Sequence, residues 1–241
     1  MLAVGAHPDD VEGQCGGTLA LLAARDVPVH VACVTAGERG VRDQPPAETR
    51  EMRLLEAARA AELCGAASFT PLGGDDLGLN REATWSCGLA LISLVRSLRA
   101  NLLITHAPSD YHPDHRATSD LVLAARIAAG VPGLADEPPL ECEPDVVFMD
   151  AALGLGFEPH VWIDVTDGIE TRRAMLAAHA SQRTLLFGQN LVDTVETLSR
   201  LRGAQRGCEH AEAFRGCETW PRPDGGIRRL VLLLESVDRR D

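Results

Sequence analysis

Lysine is absent from the 241 residues, and all 23 basic side chains are arginines. Chemistry that needs a lysine Schiff base or a lysine general base is therefore excluded. Aromatic residues are scarce at 4%, so the core must be built mainly from Leu, Val, Ile and Ala. No stretch approaches the ~18 apolar residues of a membrane-spanning helix. The apolar start at Met1 stops at His7 with no basic residue ahead of it, which lacks both parts of a secretory signal. Arginines form no run of five, and 35 acidic against 23 basic residues give a formal charge of −12. Such a surface repels nucleic acid over most of its area. The cysteines (Cys15, Cys33, Cys64, Cys87, Cys142, Cys208 and Cys217) are odd in number and form no CxxC pair. That pattern suits a reducing compartment. The expectation is a cytoplasmic protein with neither a membrane nor a nucleic-acid partner.

What is present reads as one α/β domain over residues 1–241. Hydrophobic residues make up 45%, enough at this length for a sizeable core without staples. Short apolar runs at Leu2–Ala6, Val29–Thr35, Phe69–Leu72, Leu102–Thr105, Asp145–Asp150, His160–Val165 and Leu230–Glu235 predict strands. Between them, helical patterns cover Val11–Arg25, Glu48–Cys64 (closed by Gly65), Thr84–Arg99, His115–Ala129, Ile169–Ala180 and Asn190–Arg202. Continuous apolar strands alternating with helices predict a Rossmann-like, mostly parallel sheet with helices on both faces. The Gly/Pro-rich stretch Gly130–Pro144 reads as a surface excursion. In such sheets ligands bind beyond the carboxyl ends of the strands.

Two post-strand loops stand out because they resemble each other. Ala6-His7-Pro8-Asp9-Asp10 follows the first strand, and His112-Pro113-Asp114-His115 follows Leu102–Thr105. Proline fits the first helical turn, where its missing N–H costs nothing. Residues three apart in such a turn project from one side. His7 and Asp10, with His112 or His115 from the other loop, would converge on one point. Two histidines and a carboxylate with an open position are what catalytic zinc requires. Either loop alone is more often a capped turn; both together in one chain are far harder to explain that way.

The segment Ala6–Glu12 with Cys15-Gly16-Gly17-Thr18-Leu19, together with His112-Pro113-Asp114-His115, closely resembles the motifs of the PIG-L/LmbE-like deacetylases. Weaker matches lie at Thr35–Gly40, Arg53, Glu56, Asp76–Leu79 and Ala178–Gln182. The resemblance implies a zinc enzyme, one ion per chain, that removes the N-acetyl group from an N-acetylglucosamine conjugate. It implies zinc ligation by His7, Asp10 and His115, with Asp9 as general base. His112 would stabilise the oxyanion or protonate the leaving group, with Asp114 orienting it. Arg53 would contact substrate, with Arg50 as the alternative, and Glu38 and Asp76 would bind sugar hydroxyls. Each has a plainer reading: a helix-surface arginine paired to Glu56, and acidic residues in Gly-rich turns. His179 and Gln182 read as structural, and Cys15 as packing.

The loop Ser109-Asp110-Tyr111-His112 is similar to that of small-thiol biosynthetic members of the family, a resemblance that implies a glucosaminyl malate-type thiol precursor as substrate. The resemblance further implies a homo-oligomer, a trimer or hexamer. Two alternatives share the sequence features: a zinc amidase acting on thiol-conjugate amides, and a non-catalytic Rossmann-like binding protein whose His-Pro-Asp loops are only turns.

Overall fold

Helices and strands alternate along the chain for structural reasons visible residue by residue. The computed structural model describes residues 1–79, 81–183, 188, 190–219 and 223–235. In chain order these form β1 (Leu2–Gly5), α1 (Asp10–Ala23), β2 (His30–Thr35), α2 (Pro46–Cys64) and β3 (Ser68–Gly74). They continue with α3 (Arg81–Ser97), β4 (Leu102–Thr105), α4 (Pro113–Ala128), β5 (Asp145–Met149) and β6 (Val161–Asp164). The last elements are α5 (Ile169–Ala178), α6 (Leu191–Arg206), β7 (Ala211–Gly216) and α7 (Ile227–Glu235). No described helix is long and apolar enough to cross a membrane.

The strands make one seven-stranded sheet in the order β3-β2-β1-β4-β5-β7-β6. β1 pairs parallel with β2 on one side (Val4 opposite Ala32) and with β4 on the other (Val4 opposite Thr105). β7 alone runs antiparallel, between β5 and β6. This is the Rossmann-like, mostly parallel sheet that the alternating pattern predicts. Side chains alternate between its faces, as the two-residue period of a strand requires. Leu2 and Val4 enter one apolar cluster with Leu91 and Val95 of α3 and Val122 of α4. Ala3 enters the opposite cluster with Leu19 and Leu22 of α1, Ala60 of α2 and Met175 of α5. Cys15 packs there too, its thiol 3.9 Å from the Met149 sulfur.

Two elements differ from the sequence reading. Leu230–Glu235 is helical, not a terminal strand, and belongs to α7. A continuous apolar run fits either state by periodicity alone. Here Ile227, Leu230 and Leu234 share a helical face that packs into the second cluster, Leu230 being fully buried. The strand that fills this role is β7, whose sequence Ala-Glu-Ala-Phe-Arg-Gly hides a buried charge. Glu212 accepts the Gly17 and Thr18 N–H groups at 2.8 Å each and lies 3.3 Å from Arg172.

The 130–144 excursion is tied down by buried arginines: Arg126 of α4 donates to the Pro144 carbonyl at 3.1 Å and pairs with Glu143, and Arg96 holds the rest. Arg96 of α3 donates to the carbonyls of Ala129 (3.0 Å), Glu137 (2.9 Å), Ala128 and Ala135, and also to Val131. Replacing it with an apolar residue of similar length strands several carbonyls at once. We expect Arg96→Met to lower unfolding free energy by about 2–4 kcal/mol in urea titrations. The same variant should leave activity at the distant sheet end unchanged.

Candidate metal centre and active site

β1 and β4 lie side by side, so the loops that leave them open at one end of the sheet. Ala6 fixes the first loop to both neighbours. Its carbonyl accepts from the Thr35 N–H (2.8 Å) and hydroxyl (3.0 Å) on β2. Its own N–H donates to His106 Nε2 at 3.0 Å, just past β4. Glycine at position 5 lets the loop fold back, since a Cβ there would lie 3.1 Å from that of Asp10. Asp9, which starts α1, holds a left-handed backbone with φ of 99°. For a non-glycine residue this costs on the order of 1–3 kcal/mol, and such strain clusters at functional sites.

Asp10 sits at the middle of the site. Its Oδ2 accepts the His7 N–H at 2.7 Å and lies 3.4 Å from His7 Nδ1 and 3.2 Å from His106 Nε2. Its Oδ1 lies 3.3 Å from His115 Nε2. The far nitrogen of each of the His7 and His115 rings then faces another carboxylate. His7 Nε2 is 3.2 Å from Asp114 and 3.3 Å from Asp76. His115 Nδ1 is 3.1 Å from Asp110, which also accepts the His112 N–H at 2.8 Å. His112 caps α4, its Nδ1 accepting the Asp114 N–H at 3.3 Å. Asp114 thus touches His112 through its main chain, while its carboxylate serves His7 and the Leu77 N–H (2.8 Å).

This crowd of carboxylates sets the charge states. Burial works to lower the imidazoles, yet Asp10, Asp114 and Asp76 raise His7 well above its usual pKa. Against the same burial, Asp10 and Asp110 raise His115 to about 9. Asp10, despite burial, is held well below the carboxylate range chiefly by the charge of His115. Asp9 behaves in the opposite way. Burial pushes its carboxyl up to about 6, only partly opposed by the Arg53 guanidinium. Adjacent carboxylates are therefore tuned apart, one firmly ionised and one with a pKa close to neutrality.

The donor set fits a divalent metal. Three overlapping groups bring their ligand atoms within 4.8 Å of one another: His7/His112/His115, Asp10/His106/His115 and His7/Asp76/Asp114. Imidazole nitrogens and a carboxylate, with His7 and His115 each backed by an outer carboxylate, make the environment that orients metal ligands and raises their basicity. A site that holds protons on His7 and His115 is one a divalent cation competes for as those protons leave.

Arg53, Glu38 and Asp76 all lie in the wall behind the site, each no more than 5% exposed. Arg53 donates to the Pro8 carbonyl (2.7 Å), the Gly37 carbonyl (2.8 Å) and the Asp9 carboxylate (3.3 Å). Gly37 must be glycine for this: φ is +61° and a Cβ would fall 2.1 Å from Arg53 Nη1. Glu38 accepts from Asp76 N–H (3.0 Å) and Arg50 (3.1 Å), and Asp76 accepts the Arg39 N–H (2.9 Å). At the rim, Arg39, Arg50, Leu77 and Tyr111 are open to solvent. His179 is fully buried 3.4 Å from Glu12, with Gln182 buried nearby in the chain. His106 and Asp110 escaped the sequence reading. Only the spacing of Asp110 ahead of His112 and His115 hinted at a role for it, and nothing in the sequence marked His106.

The family described as PIG-L, GlcNAc-PI de-N-acetylase, matches residues 2–126, which take in both His-Pro-Asp loops. The chain belongs to the PIG-L family. One PIG-L relative, a probable N-acetyl-alpha-D-glucosaminyl L-malate deacetylase of Bacillus anthracis, is 30% identical over 83% of this chain and 92% of its own. A 4-oxalmesaconate hydratase of Pseudomonas putida is 26% identical over 76% of this chain and 74% of its own. The crystal structure of a conserved protein from Thermus thermophilus superposes with a TM-score of 0.75 at 30% identity. That match covers 88% of this chain and 92% of the other.

Arg53 is the sole guanidinium touching Asp9 among the described residues, and it also satisfies two buried carbonyls. Removing one partner of a buried ion pair costs about 3–5 kcal/mol. Arg53→Met should show a loss of that order in chemical denaturation, whereas a loss below about 1 kcal/mol would mean that Asp9 needs no counter-charge.

Proposed function

We propose that the protein is a zinc-dependent N-deacetylase of N-acetylglucosamine conjugates, releasing acetate and a free amino sugar. His7, Asp10 and His115 hold the zinc, Asp9 is the general base, and His112 supports the oxyanion. The observation that carries this reading is the convergence of Asp10 with His7 and His115 while Asp9, next in sequence, is left to Arg53. The ring tautomers support it. The Asp114 N–H occupies Nδ1 of His112, so a neutral His112 carries its hydrogen on Nε2 and is a donor rather than a ligand.

Zinc, when bound, polarises the acyl oxygen and makes water acidic enough to attack near neutral pH. The rest belongs to this chain. Asp9 takes the proton of the attacking water as the new C–O bond forms at the acetamide carbonyl. His112 donates from Nε2 to the oxygen on which negative charge develops. Asp9 then passes its proton to the amide nitrogen as the C–N bond breaks, which keeps the leaving group from departing as an anion. Arg53 holds Asp9 between these two duties. Asp114 and Asp76 fix His7, and Asp110 fixes His115.

For the aglycone we favour a glucosaminyl malate-type conjugate. Arg39, bonded to Asp76 beside His7, and Arg50, paired with Glu38 and Asp75, place guanidinium groups at the rim that suit a carboxylate near the sugar. The Bacillus anthracis relative, matched along 92% of its length, acts by its name on such a molecule. The hydratase relative favours a second reading, in which the same centre adds water to a carbon–carbon double bond.

Zinc-loaded protein should release acetate and free amine in equal amounts from a GlcNAc-malate conjugate, faster than from an inositol conjugate or a chito-oligosaccharide. Zinc binding with no acetate release from any of the three, together with hydrolysis of a thiol-conjugate amide, would indicate an amidase for larger acyl groups. Hydration of 4-oxalmesaconate without deacetylation would establish the second reading. Asp9→Asn should keep its zinc and lose about 10²–10⁴ in kcat; metal loss on that change would overturn its role as base. His112→Ala should also keep zinc while kcat falls about 10²–10³, and unchanged turnover would remove it from the reaction.

A further inference from the structure

Of the four imidazoles at the site, His106 has no place in the reaction just described, yet it is buried more deeply than the other three (1% exposed). Its ring lies flat against that of His115, with centroids 3.9 Å apart and an interplanar angle of 15°. Its Nε2 is 3.2 Å from Asp10 Oδ2, so distance alone makes it a candidate ligand beside Asp10 and His115. The hydrogen bond from Ala6 decides otherwise. A main-chain N–H always carries its hydrogen, and that of Ala6 points at His106 Nε2 from 3.0 Å. Nε2 therefore bears no proton, and its lone pair is already engaged. Nδ1, the remaining nitrogen, has no hydrogen-bond partner among the described residues and carries the proton of the neutral ring.

We infer that His106 is a positioning residue, not a metal ligand: a neutral imidazole that ties the ends of β1 and β4 together and holds the His115 ring by stacking. The two functions use different parts of one side chain. The edge at Nε2 closes the hydrogen-bond ladder beyond β1, where Ala6 has left the strand. The face sets the orientation in which His115 presents Nε2 to Asp10, a job shared with Asp110 at the ring's other nitrogen. A phenyl ring preserves the face and loses the acceptor; a glutamine amide preserves an acceptor and loses the face. The inference rests on His115 and Asp10 being ligands, as proposed above.

The test uses metal-free full-length protein titrated with cobalt(II), whose visible absorption reports the donor set, and with zinc against a chelator of known affinity. His106→Gln should give cobalt bands at the wild-type positions, because no ligand has been removed. Its zinc affinity should fall 10- to 100-fold, the usual cost of losing an outer partner. His106→Phe should bind zinc within about threefold of wild type. Melting of the metal-free variants reports whether each folds, so that either one suffices if the other does not. In a folded His106→Gln, cobalt bands displaced as in His115→Ala would make His106 a ligand and overturn the inference. Unchanged zinc affinity there would equally overturn it by removing any positioning role. Wild-type protein that takes up no cobalt at all would instead defeat the ligand assignment on which both readings stand.

Discussion

The pairing of β1 with β4 is the constraint on which the site depends. From β1 the chain winds outward through β2 to β3, then returns to the other side of β1 as β4. The helices of the two halves cover opposite faces: α1 and α2 pack with Ala3 and Val31, α3 and α4 with Leu2 and Val4. Loops leaving β1 and β4 must therefore diverge, and a crevice opens between them where the winding reverses. His7, Asp9 and Asp10 enter it from one side, and His106, Asp110, His112 and His115 from the other. Neither loop holds a complete donor set. The register that places Val4 opposite Thr105 is what puts Ala6 within reach of His106.

Gathering so many carboxylates at one place is costly unless each has a partner, and main-chain donors supply much of what is needed. Asp10 accepts the N–H of His7, Asp114 that of Leu77, Asp76 that of Arg39 and Asp110 that of His112. These contacts orient the carboxylates before any ligand arrives. Among the described residues the Asp9 carboxylate has only the Arg53 guanidinium within hydrogen-bond distance, so burial dominates its behaviour. That difference gives two neighbouring aspartates distinct chemical characters: Asp10 fit to bind a cation, Asp9 fit to move a proton.

Much of this was legible in the sequence. β1, β2 and β4 are continuous apolar runs because both their faces are covered, and the two His-Pro-Asp motifs stand directly at the starts of α1 and α4. Other features were hidden for physical reasons. β7 carries Glu212, a charge that can be buried only because α1 offers two N–H groups and α5 offers Arg172, neither of which is near it in sequence. α7 was mistaken for a strand because an apolar run of that length has no distinguishing period. His106 looks like any residue after a strand until β1 and β4 are paired. Arg53 reads as a surface arginine on its helix, and becomes a buried one only when Gly37 makes room for it.

The most direct test of the account is to titrate zinc into metal-free protein while following acetate release from a GlcNAc-malate conjugate. Activity should rise in proportion to added zinc and level off at one equivalent per chain. Acetate release that needs no metal, or its absence once one zinc is bound, would contradict the account.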